Sequence, residues 1–202
     1  MAGIYIALKK HDKAIELLKQ NNVCGINNTI IGYSLSQKPE TSVEALTYLS
    51  NGFLQFIVND ALKMTLGYSN AYYHLHRIND SIYALEWYIS LMQNSRKSAE
   101  ITYLDKLEGL CLATLAKLYA ETNDIEKART SLRRSMMLGK RFDSSPRYSM
   151  DGIYFYHGTG TEIAYDDFGE SSLNEFYHLA TSEPKTADII KKLWEELNNE
   201  EK

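Results

Sequence analysis

Leu115-Ala116-Lys117-Leu118-Tyr119, followed after a polar turn by Lys127-Ala128-Arg129-Thr130-Ser131-Leu132, decides the fold of this 202-residue chain, because the same arrangement opens it. Met1-Ala2-Gly3-Ile4-Tyr5 and Lys13-Ala14-Ile15-Glu16-Leu17-Leu18 stand 114 residues earlier, and Ala2, Tyr5, Lys13, Ala14 and Leu18 recur as Ala116, Tyr119, Lys127, Ala128 and Leu132. A small residue, an aromatic three positions on, a polar turn and a second helix opening with alanine predict a tight antiparallel helix pair. The alanines fall where the two helices cross, and a larger side chain there would push them apart.

Working outward, Asn70-Ala71-Tyr72 reads as another copy with Ser81 in the alanine's place, and Ile31-Gly32-Tyr33-Ser34 with Ala45 as a degenerate one. The expected crossing positions are therefore Ala14, Ala45, Ser81 and Ala128. Only Pro39, Pro146 and Pro184 occur, so 106 residues from Glu40 to Ser145 contain no proline to break a helix. Leucines at 104, 107, 112 and 115 extend the last copy's first helix backwards, and Gly139 is expected to close its partner. With 44% hydrophobic and 24% charged residues, the chain reads as globular rather than disordered.

After residue 142 the texture changes. Phe142-Asp143-Ser144-Ser145-Pro146 is loop chemistry, and Ile153-Tyr154-Phe155-Tyr156-His157, with the turn-like Gly158-Thr159-Gly160 and then Ile163-Ala164-Tyr165, suggests a short irregular or β-hairpin insert. Ser172-x-x-Glu175 is a capping-box pattern, and Ser182 is placed to cap a last helix whose stripe is Ile189, Ile190, Leu193, Trp194 and Leu197. The expected organisation is an all-α helical array over 1–142, then an insert and C-terminal capping helices over 143–202.

The repeat spacing resembles the tetratricopeptide (TPR) pattern of a small residue at the eighth position, tyrosine at the eleventh and alanine at the twentieth, within a period of about 34. Here the crossing positions are 31, 36 and 47 residues apart, so helix lengths must vary. The resemblance implies an antiparallel helix-pair superhelix whose first helices line a concave groove. Carried over residue by residue, it places Lys63, Asn70, Tyr73, His74, Lys117 and Glu121 in that groove, with Asn27 and Ser34 from the degenerate copy. Asn70 matches the asparagine with which peptide-binding members grip a backbone. Lys117 replaces that asparagine in the last copy, so the carboxylate clamp of chaperone-binding members is not reproduced.

Phe142-Asp143-Ser144-Ser145-Pro146-x-Tyr148, Tyr165-Asp166-Asp167-Phe168-Gly169 and Leu193-Trp194-Glu195-Glu196-Leu197 together resemble the C-terminal TPR region of bacterial helix-turn-helix (XRE-type) transcriptional regulators. That likeness implies a sensor or dimerisation role, with DNA held by an N-terminal domain. No helix-turn-helix segment precedes the first repeat, and Ala2 at the eighth repeat position leaves the first helix short. The chain is therefore expected to be the C-terminal portion of a longer polypeptide.

Chemistry-bearing motifs are thin. Gly158-Thr159-Gly160-Thr161 lacks the GK[ST] of a phosphate loop, and His74-x-His76 would place two imidazoles about 200° apart on a helix, unfit to share a metal. Glu162, Asp166, Asp167 and Glu170 lack the spacing of a calcium loop. Charge runs +4 over residues 1–150 and −8 over 151–202, which argues against direct nucleic-acid binding. Cys24 and Cys111 stand in apolar contexts as buried, reduced thiols, and no 18-residue apolar stretch occurs. The sequence thus points to a cytoplasmic, non-catalytic module without cofactor, metal or membrane contact, whose partner is a protein, a peptide or a second copy of the chain. Its alternatives are a stand-alone adaptor and, behind that, an enzyme using the insert at 151–170.

Overall fold

The computed structural model describes residues 2–148, 150–157 and 171–200. These are 77% helical and contain no strand. Their packing forms two compact units, one of residues 2–60 with 153–157 and the other of 61–152 with 171–200.

The first unit holds α1 (Ala2–Ala7), α2 (His11–Gln20), α3 (Asn28–Leu35) and α4 (Ser42–Gln55). Each packs on the next, around Ala14, Leu18, Ile31, Leu35 and Ala45. Glycine lets α3 and α4 close on each other, since a Cβ on Gly32 would stand 2.6 Å from Leu49 Cγ and one on Gly52 2.4 Å from Thr29 Oγ1. The run Ile153–His157 does not form the strand its β-prone residues suggested. Phe155 sits at φ +68° with its ring edge-on to Phe53 at 5.5 Å, and the His157 amide donates to Ser50 Oγ at 2.7 Å. Packing of one aromatic ring outweighs strand propensity there. The rest of the anticipated insert, including Gly158-Thr159-Gly160 and Ile163-Ala164-Tyr165, lies outside the described residues.

A π-helical turn, Phe56–Asp60, precedes the second unit. That unit comprises α5 (Ala61–His74), α6 (Ile78–Asn94), α7 (Tyr103–Glu121), α8 (Ile125–Ser144), α9 (Ser172–Ala180) and α10 (Ala187–Glu200). Helices α5 and α6 pair, as do α7 and α8, while α9 and α10 both pack on α7 and α8.

The three clearest sequence copies fold into the same turn. Lys9, His76 and Asn123 follow α1, α5 and α7 in left-handed backbone, at φ +56°, +58° and +62°. The next amide in each, of Lys10, Arg77 and Asp124, donates to the carbonyl of Tyr5, Tyr72 and Tyr119 at 2.7, 2.9 and 2.8 Å. This is the 6→1 bond of a Schellman closure, and it recurs on the tyrosine of each of these three copies. Five residues beyond each left-handed position lies a crossing residue, and Ala14, Ser81 and Ala128 are all completely buried. Ser81 keeps the crossing tight through its hydroxyl, 2.7 Å from Ser69 Oγ and 2.9 Å from the Ser69 carbonyl. In the degenerate copy Ala45 is buried too, but the α3–α4 connection runs through a 3₁₀ turn, Pro39–Thr41, instead.

Several local expectations shift. His76 lies beyond the end of α5 in its left-handed turn, so it does not share a helix with His74. Helix α8 continues through Gly139 to Ser144, because Gly139 serves close packing and not termination. A Cβ there would stand 3.1 Å from Phe176 Cδ2 and 3.2 Å from Leu173 Cα. Asp143 is consequently helical, and its carboxylate accepts the Ser172 and Leu173 amides at 2.8 and 3.0 Å, anchoring the positive end of α9. The side-chain cap of α9 is Ser171, one residue earlier than expected. Ser182 does not cap α10, which begins at Ala187; its hydroxyl donates back to the Leu179 carbonyl. Of the α10 stripe, Ile190, Leu193, Trp194 and Leu197 are buried, whereas Ile189 is 38% exposed.

Candidate functional site

Helices α5, α7 and α9 of the second unit, with the turn after α9, border an open cavity of about 500 Å³. Leu66, Leu110 and Leu179 give it an apolar floor, and Asn70, Thr114, Lys117, Glu175, His178 and Ser182 supply polar groups. Asn70 and Lys117, singled out on different sequence copies, thus face the same space.

Lys117 donates to Ser182 Oγ at 3.0 Å. Burial holds its ammonium below the ordinary lysine range, and Glu183 and Glu121 oppose that shift. Tyr73, one turn beyond Asn70, has its phenol pushed up by burial and by hydrogen bonding to Glu121 and Glu183, so it stays protonated and donates. Lys185 lies 3.8 Å from Glu121, completing a charge-balanced rim. Glu175 pairs at 3.5 Å with Lys106, whose side chain is only 2% exposed.

Of the groove residues expected from the repeat, Asn70 and Lys117 line the cavity, and Tyr73 and Glu121 meet each other through their side chains. His74, exposed at the end of α5, stacks its edge on Tyr73 at 6.0 Å and does not line it; Lys63 is exposed two turns before Asn70 and does not line it either. Asn27 and Ser34 belong to the first unit. The Asn27 amide is used internally on the Leu18 and Asn21 carbonyls, and Ser34 is 1% exposed, so neither offers a groove face. Sequence reasoning missed Glu175, His178, Ser182 and Glu183. They sit on α9 and the turn after it, which carry no small-residue-then-tyrosine signature and were read only as a cap.

The charged groups buried in α7 are already engaged. Glu108, fully buried, accepts from Gln93 at 2.9 Å, Arg96 at 2.7 Å and Arg134 at 2.8 Å. Asp105, equally buried, accepts from Arg96 at 3.2 Å and closes a capping box with Thr102. Both carboxylates are thus committed to guanidinium partners. Cys111 is free and wholly buried, with its thiol pushed up by desolvation, which suppresses thiolate chemistry. The Cys24 side chain and the acidic group Glu162, Asp166, Asp167 and Glu170 lie outside the described residues. Among the described residues no cluster of three His, Cys, Asp or Glu side chains could hold a metal, and no helix is long and apolar enough to cross a membrane.

No protein-family model, curated protein or solved structure matches the chain.

Proposed function

We propose that this chain is a non-catalytic, TPR-like binding module whose α5–α7–α9 groove takes an extended peptide segment of a protein partner. One observation carries the reading: Asn70 and Lys117, 47 residues apart and selected from repeat positions alone, line one cavity together with His178 and Ser182. A neutral amide that both donates and accepts suits a peptide backbone, and an ammonium suits a carbonyl or carboxylate. The leucine floor offers apolar burial between them. The recurrent turn at Lys9, His76 and Asn123 supports the TPR-like description of the array. The likeness of the C-terminal segment to XRE-type regulators favours a peptide-sensing role within such a regulator, with a second copy as a further partner.

Panning a random peptide display library on the purified chain, followed by calorimetry on the selected sequences, tests this. Asn70→Ala and Lys117→Ala should each weaken the selected peptides by about tenfold, the scale of a hydrogen bond to a charged or buried partner, without lowering the melting temperature. Selected peptides that bind both variants as well as they bind the parent would move the site elsewhere.

A further inference from the structure

Helix α5 carries a second functional-looking face, turned about 160° from the one that bears Leu66 and Asn70. Tyr68 and Tyr72, four residues apart on it, stack at 5.9 Å with ring planes inclined by 20°. On the antiparallel neighbour α6, Asp80, Tyr83 and Trp87 follow at helical spacing. These five side chains, with Thr65 at the base, line a cavity of about 420 Å³. The aromatic groups are not consumed by packing: Tyr68 is 52%, Tyr83 70% and Trp87 41% exposed.

Three features give this cavity a chemical preference. Four aromatic side chains line one space, and the negative face of an aromatic ring attracts cations. The protein already uses that attraction at the rim, where the Arg77 guanidinium lies 4.7 Å from the centre of the Tyr72 ring. Asp80 stands at the same rim; Arg77 Nε donates to its Oδ2 at 2.6 Å and balances its charge, while Oδ1 accepts from no described residue. Thr65, finally, is a lining residue that is only 2% exposed, and its Oγ1 is buried with no hydrogen-bond partner. A buried hydroxyl left unpaired is costly unless something that enters the cavity engages it.

We infer that this is a binding site for a small organic cation bearing an alkylated ammonium group, together with a polar atom for Thr65. Methylated ammonium is the form of positive charge that an aromatic cage prefers, because it sheds little hydration on entry and presents apolar methyl groups to the rings. A volume of about 420 Å³ suits a small molecule. The site is independent of the peptide groove and stands or falls separately from it.

Calorimetry with choline, tetramethylammonium and 3,3-dimethylbutan-1-ol, the uncharged isostere of choline, tests the assignment on the full chain. Choline should bind saturably and at least about fivefold more tightly than the isostere, the factor expected of a partly desolvated cation–π site. Trp87→Leu and Tyr83→Leu, both at exposed positions, should weaken choline by about tenfold while circular dichroism stays unchanged. Asp80→Asn should weaken choline and leave the isostere unaffected, and Thr65→Val should weaken choline more than tetramethylammonium, which has no hydroxyl. Equal affinity for choline and the isostere would overturn the proposal, as would the absence of heat with any of the three. Binding of a trimethyllysine peptide without binding of free choline would overturn the assignment to a small molecule. Trp87 emission that shifts with protein concentration, with no ligand present, would assign the face to a second copy and overturn it too.

Discussion

The α1–α2 and α7–α8 pairs carry the same motif 114 residues apart and make the same turn, yet they live in different surroundings. Left-handed Lys9 and Asn123, the closure onto Tyr5 and Tyr119, and the fully buried Ala14 and Ala128 are common to both. Burial is not. Helix α1 has no fully buried residue among those described, whereas sixteen of the nineteen residues of α7 are buried, charged Asp105, Lys106 and Glu108 included. Tyr119 is 7% exposed and donates to Glu86; Tyr5 is half-buried. A repeat motif therefore fixes how two helices meet. What covers them is decided by neighbours, and α7 has α6, α8, α9 and α10 packed on it.

Hydrogen exchange should show the largest consequence. Amides of α7 are expected to exchange only through global opening, and those of α1 through local fraying, a separation of several kcal/mol in opening free energy. Equal protection in the two helices would break the comparison. Next in size is the joint that gives α7 its cover. Phe176 of α9 rests against Gly109 of α7, where a Cβ would stand 2.2 Å from its Cε2. Phe176→Ala should cost about 3–5 kcal/mol in denaturant unfolding, and Gly109→Ala about 1–3 kcal/mol by overpacking. A neutral Gly109→Ala would mean that α9 can slide off α7 without penalty.

Legibility in the sequence follows the same line. The helix pairs and all four crossing positions were readable, because alanine or serine at a crossing is a local steric requirement. Asn70 and Lys117, taken from the same position of two sequence copies, line one cavity. The reach of α8 through Gly139 to Ser144 was hidden, since a glycine that makes room for Phe176 looks like one that ends a helix. The polar interior of α7 was hidden as well: Asp105 and Glu108 are made tolerable by Arg96 and Arg134, which lie elsewhere in the sequence. Thr102-x-x-Asp105 was the one local signal of that start. The aromatic cavity is spread over two helices whose tyrosines individually read as ordinary surface or core.

The shared turn yields a smaller effect that sharpens the comparison. A non-glycine residue in left-handed backbone is strained by about 1 kcal/mol, less for asparagine. Replacement by glycine should therefore stabilise, by up to about 1 kcal/mol at Lys9 and His76 and by less at Asn123. Because the turn geometry is the same, Lys9→Gly and His76→Gly should gain alike despite their different units. Thermal melts of the three variants check this, and a loss at any of them would show that its side chain contributes more than its backbone strain costs.

The smallest effect separates the surface charges by the pH at which they fail. In the first unit the exposed lysines Lys19 and Lys38 have their pKa values raised, chiefly by hydrogen bonding to Glu44 and Asp12, both at 2.6 Å. Their contribution is present below the unfolded lysine value of 10.5 and fades as pH rises through the higher folded value. In the second unit Glu200 of α10 has its pKa lowered, first by hydrogen bonding from Arg133 and then, against desolvation, by Arg129 of the same helix α8. Its contribution is present above 4.5 and fades as pH falls through the lower folded value. Lys38→Met should thus flatten the alkaline limb of the stability–pH curve, while Glu200→Gln should flatten the acid limb. All these groups are solvent-exposed, so each change should be slight and should vanish in high salt, where screening removes surface pairs. A Glu200→Gln variant that lost stability equally at every pH and salt concentration would show that α10 is held to α8 through the packing of that side chain instead of its charge.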